Sequence, residues 1–149
     1  MQIPDRTIVI CCLVMALSLC LFACEKQKQG KVIVSEHDFY IKKVTETGFE
    51  LCATGKVKNV GEVDVKKVVV TANCLSCTEI IHYDGRWIHS PDIEKTAEQQ
   101  PVINYIPIGA EEEFTIETIA YGGNSSKQPP ENIPEQLEVI VVSFETASD

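Results

Sequence analysis

The stretch Phe49-Glu-Leu-Cys-Ala-Thr-Gly-Lys-Val57 decides the fold class. Phe49, Leu51, Ala53, Gly55 and Val57 are apolar or small, while Glu50, Cys52, Thr54, Lys56 and then Lys58 take the intervening positions. Successive side chains of a strand point to opposite faces, so this period of two describes a strand with one buried and one wet side. The following run repeats the pattern, with Val68, Val70, Ala72 and Cys74 on one face and Val69, Thr71 and Asn73 on the other. Asn59-Val-Gly-Glu-Val-Asp64 reads as the turn between them.

Working outward, β-branched and aromatic runs recur between turn signals and no sustained helical period is present. Strands are expected near 32–45, 48–59, 64–73, 78–83, 86–90, 101–107, 112–121 and 137–145. Residues 91–100 are expected to hold one helical turn with Asp92 near its start, and Gly122–Pro130 a long loop. Residues 32–149 then form one all-β domain, long enough to bury a core.

Thr7 to Ala23 contains no charge and follows Arg6, the layout of an export signal. The run is short for a membrane span, which needs about 20 residues. Its end, Leu21-Phe22-Ala23-Cys24, resembles the lipobox of bacterial lipoproteins. That resemblance implies a signal peptide over 1–23, cleavage before Cys24 and acylation of Cys24 at its thiol and new amino group. It also implies an extracytoplasmic, lipid-anchored protein, on the outer membrane facing the periplasm where the host has two membranes. Glu25-Lys-Gln-Lys-Gln-Gly-Lys31 has no apolar side chain and reads as a flexible tether over 24–31. Removing 1–23 removes one acid, Asp5, and one base, Arg6, so the remainder keeps the net charge of −9. That balance disfavours nucleic acid, which calls for a basic surface, and leaves membrane attachment to the acyl chains.

Gly55-Lys-Val-Lys-Asn59, the glycine turn at Gly61 and Val65-Lys-Lys-Val-Val-Val-Thr71 resemble the start of small immunoglobulin-like sandwiches of bacterial envelopes, the FxLYD type in particular. Tyr83-Asp84-Gly85 matches the Tyr-Asp pair before a glycine turn in that type, with Ile80 and His82 where it carries Phe and Leu. Tyr105-Ile-Pro-Ile-Gly109 followed by Glu113-Phe-Thr-Ile116 is similar to a later strand of such domains. The resemblance implies a single immunoglobulin-like antiparallel β-sandwich and a role as an accessory or binding module.

Cys11, Cys12 and Cys20 lie in the leader, leaving Cys52, Cys74 and Cys77 for the domain. Cys52 falls on the polar face of its strand and Cys74 on the apolar face of the next, so these two are not expected to meet. Cys74 and Cys77 flank a two-residue loop between β-type runs, where a disulfide would act as a staple. The Cys-x2-Cys spacing also admits a redox dithiol or half of a metal site. A redox pair wants a helix amino terminus or nearby positive charge; here Glu79 and β-type sequence follow. With Asp84-Gly85 as a hairpin tip, His82, Trp87 and His89 share one face and form a candidate binding patch. The spacing from the cysteines to the two histidines matches no zinc-finger pattern, so no metal is assigned. No nucleophile motif, phosphate loop or acid–base pair is visible, and Glu111-Glu112-Glu113 reads as a solvated turn. The expectation is a non-enzymatic module without a cofactor, bound to the membrane through its lipid and to an envelope protein or ligand. The alternative is a thiol-redox or metal-binding protein using Cys74 and Cys77.

Overall fold

A computed structural model describes residues 28–79, 84–89 and 94–147. The expected signal peptide and the lipobox-like stretch with Cys24 lie outside the described residues, as do His82 and Asp92. Among the described residues seven strands are present: β1 (Val32–Lys43), β2 (Gly48–Asn59), β3 (Val65–Cys74), β4 (Asp84–Ile88), β5 (Val102–Ile106), β6 (Glu111–Asn124) and β7 (Leu137–Thr146). They form a four-stranded sheet of order β1-β2-β6-β4 and a three-stranded sheet of order β5-β3-β7. All strand pairs in both sheets are antiparallel, so the chain is an all-β sandwich.

Alternation places the core. Phe49, Leu51, Ala53 and Val57 of β2 and Val68, Val70, Ala72 and Cys74 of β3 are buried, as their period requires. Ile106 of β5 and Phe114 and Ile116 of β6 complete the inter-sheet cluster. Val65 and Val68 are both fully buried although they are an odd number of residues apart. The intervening register shift, with Lys67 at φ 50°, inserts the extra residue that lets both face inward.

The four-stranded order matches A-B-E-D of an immunoglobulin sandwich when β1, β2, β6 and β4 take those letters, and β3 beside β7 matches C beside F. The departures are β5, which adds to the free side of β3, and the absence of a strand beyond β7 among the described residues.

Two sequence expectations change at β4. Asp84 and Gly85 begin a strand that pairs with β6, so they are not the tip of a hairpin. Thr78 meets Ile88 in an isolated parallel bridge, which sets aside the antiparallel 78–83/86–90 pairing. The Glu111–Glu113 stretch opens β6, exposed as expected but within a strand.

Residues 29–31, expected within the stretch 24–31, are bonded to the 59–64 turn. Val60 N–H donates to the carbonyl of Lys31 and Glu62 N–H to that of Gln29, each at 2.8 Å. Gly61 lies beneath this crossing, where a Cβ would stand 2.4 Å from the Lys31 nitrogen. Glycine at that position lets residues 29–31 lie flat on the turn.

Candidate functional site

Cys74 ends β3 and Cys77 follows a two-residue loop; the two are joined, with their Cα atoms 5.5 Å apart. The loop has contacts on both sides. Leu75 N–H donates to Gln136 O at 2.8 Å, and the Gln136 N–H donates to Ser76 Oγ at 3.2 Å, just before β7. Thr78 N–H donates to Trp87 O and His89 N–H to Thr78 O, both at 3.0 Å. Residues 74–78 thus clasp the three-stranded sheet to β4, the edge strand of the other sheet. Among the described residues after Cys77, Thr78 forms a β-bridge rather than opening a helix, and Glu79 is the adjacent charge.

Of the expected patch, His82 lies outside the described residues, and Trp87 and His89 do not form an exposed aromatic face. Trp87 is 6% exposed. Its indole ring lies against Gly122, where a Cβ would come within 3.1 Å of the ring, and its Nε1–H donates to Asn132 O at 2.8 Å. Pairing with β6 turns this ring into the core, where its one donor is satisfied. His89 is half-buried, and its Nδ1 lies 2.8 Å from Ile119 O. A carbonyl only accepts, so Nδ1 carries the proton and Nε2 of the neutral ring is an acceptor.

His89 and Glu79 line two adjoining clefts of about 460 and 380 Å³ beside the disulfide loop. Lys95 forms their common wall. Its Nζ donates to Thr71 Oγ1 and Ala72 O, each at 2.9 Å, and to Asn73 Oδ1. β5 pairs only with residues 65–69 of β3. Beyond that point Pro101 O receives the Val70 N–H, Gln99 O receives the Thr71 hydroxyl, and Lys95 caps Ala72 O. Burial pushes the Lys95 amine below its ordinary value, opposed by the Glu138 carboxylate. With its three donors engaged, Lys95 acts as a strap over β3. Sequence reading passed over it, because a lysine in a polar stretch carries no positional signal. The clefts therefore offer an imidazole acceptor and a carboxylate beside Ile88 and Ile119, a wall suited to a polar ligand with donor groups.

Cys52 lies on the face that alternation assigns, yet it is fully buried. Leu51 opposes Ala120 while Ala53 opposes Ile116, so residues 117–119 of β6 stand against Cys52 alone. Its Sγ–H donates to Glu117 O at 2.7 Å. Burial first, and then the Glu50 carboxylate, pushes the thiol pKa up. A buried protonated thiol is not poised for exchange, nor for pairing with a second chain.

Among the described residues no group of three or more His, Cys, Asp or Glu side chains is placed to hold a metal ion. No family model, curated protein or solved structure matches this chain.

Proposed function

We propose that this chain is a lipid-anchored cell-envelope protein whose β-sandwich serves as a non-enzymatic binding or accessory module. The observation that carries the reading is Leu21-Phe22-Ala23-Cys24 at the end of an uncharged run, followed five residues later by the first backbone contact of a single sandwich. A cleaved, acylated Cys24 supplies a stable anchor, because more than one acyl chain is needed to hold a protein on a bilayer and this site takes several. The sandwich then displays the disulfide loop and the clefts beside His89 and Glu79 to the envelope space. The strand order supports the immunoglobulin-like assignment.

The test is fractionation of wild type and Cys24→Ser expressed with the complete leader. Wild type is expected in the membrane fraction, released by detergent but not by salt. Cys24→Ser is expected to lose that behaviour. Membrane association unchanged by Cys24→Ser would overturn the anchor.

A further inference from the structure

One end of the sandwich is held close to Cys24 by the chain itself, and this assigns that end a partner. There the 59–64 turn and the Pro107–Ala110 turn are bonded together. Asn59 N–H donates to Ala110 O at 3.1 Å, Gly109 N–H to Asn59 O at 2.8 Å, and Ile108 N–H to Asp64 Oδ1 at 2.9 Å. Gln29 and Lys31 are seated on this same end by their bonds to Glu62 and Val60. Two aliphatic side chains stand out there, Val60 at 42% and Ile108 at 57% exposure. The backbone around both is held by hydrogen bonds, so their presentation is built into the fold rather than left to a loose loop.

The tether decides what they meet. Five chain steps separate Cys24 from Gln29. Even fully extended, a chain of that length spans about 18 Å. The headgroup layer on one side of a bilayer is itself roughly 5–7 Å thick. An acyl-anchored Cys24 therefore brings this end of the sandwich down to the headgroups, with no room for a protein between. Charge does not decide the contact. Lys28 and Lys31 are exposed beside the end and Lys26 precedes them, but Glu25 lies in the same stretch, and Glu62 and Glu112 are exposed. The Asp64 carboxylate accepts from the Tyr105 hydroxyl and the Ile108 N–H, and Glu111 pairs with Lys58 at 3.2 Å.

We propose that the Val60/Ile108 end of the sandwich rests in the headgroup layer of the bilayer that carries the anchor, an inference that rests on acylation at Cys24. Val60 and Ile108 enter the interface. The disulfide loop and the clefts lie at the other end of β3, about 30 Å away at the rise of a strand. They consequently point away from the membrane, toward whatever binds them.

The test uses full-length protein, acylated in its host, purified and reconstituted into phosphatidylethanolamine/phosphatidylglycerol vesicles containing lipid with a doxyl group near the headgroup. Ile108→Cys, Val60→Cys and, at the far end, Ile133→Cys each receive an environment-sensitive fluorophore without reductant. Cys52 is buried and Cys74 is joined to Cys77, so the introduced thiol takes the label. Labels at 108 and 60 are expected to lose most of their emission to the doxyl lipid, and the label at 133 to keep its own. Acylated protein in which 108 and 60 are quenched no more than 133 would overturn this inference alone. Protein lacking acyl mass at Cys24 would overturn the anchor and the inference with it. The use of two independent label sites guards against misfolding of either variant.

Discussion

The Nδ2 of Asn59 donates to the carbonyl oxygen of Ile106 at 3.1 Å, deep in the end of the sandwich where β2 and β5 meet. The same nitrogen donates to Val63 O at 2.9 Å, and Oδ1 accepts the Gly61 N–H at 3.0 Å. Asn59 is fully buried, and its bond to Ile106 O is buried with it, while those to Val63 O and from the Gly61 N–H are partly buried.

Asn59→Ala is therefore expected to cost about 2–3 kcal/mol, since it leaves two carbonyls and one amide without that partner. Asn59→Asp keeps the acceptor but puts a carboxylate against two carbonyls, and is expected to cost at least as much. Urea unfolding followed by circular dichroism measures both. A loss under half a kilocalorie for the alanine variant would mean that water replaces the side chain.

The Cys52 thiol, raised by burial and by Glu50, makes stability depend on alkaline pH. In the unfolded chain the thiol loses its proton near its ordinary value of 9.0, while in the folded chain it keeps it. The unfolded state then binds fewer protons, so stability present below that value is lost as pH rises toward the folded pKa. Wild type is expected to lose stability from about pH 9 relative to Cys52→Ser. The native thiol is also expected to resist iodoacetamide until the protein unfolds. Equal reactivity of native and unfolded protein would contradict the burial.

Asp64 behaves in the opposite sense. The Tyr105 hydroxyl first, and then the Ile108 amide, hold its carboxyl below the ordinary 3.8. A depressed acid contributes stability above that ordinary value and loses it as pH falls through the folded pKa. The gap in unfolding midpoint between wild type and Asp64→Asn is expected to close below about pH 4, with Tyr105→Phe narrowing it beforehand. A gap independent of pH would show that the carboxylate contributes through packing alone.

Replacing Cys74 and Cys77 together by serine is expected to cost about 2 kcal/mol, the chain-entropy contribution of so short a loop. Because Thr78 is bridged to Trp87 and His89, amide exchange at 75–78 and at His89 should accelerate together. In the intact protein, mild reductant should open the pair only where the loop is already labile. A pair that cycles at a modest potential without change in stability would favour the thiol-redox reading instead.

Much of the sandwich was readable from period two. Phe49 to Val57 and Val68 to Cys74 are buried where alternation puts them, because a strand between a core and water leaves its side chains no other arrangement. Trp87 was not readable. Its burial follows from the pairing of β4 with β6 and from an approach to Gly122 some 35 residues later in the chain, and spacing within one segment carries no trace of either. The hairpin assigned to Asp84-Gly85 failed for the same reason: a favourable turn pair competes with strand pairing, and here β6 won. Alternation puts Cys52 on the correct face but does not reveal its burial, because the register shift that folds β6 over it is set by the partner strand. Lys95 and Asn59 gave no local signal. Their role comes from backbone groups that the sheets leave unpaired, which become visible only once both sheets are assembled.

The most direct measurement is the intact mass of the protein recovered from membranes of its host. The account expects a chain beginning at Cys24, free of residues 1–23, heavier than its sequence by a diacylglyceryl group and an amino-terminal acyl chain, all carried on Cys24. A chain that retains the leader, or one that begins at Cys24 with no added mass, would contradict it.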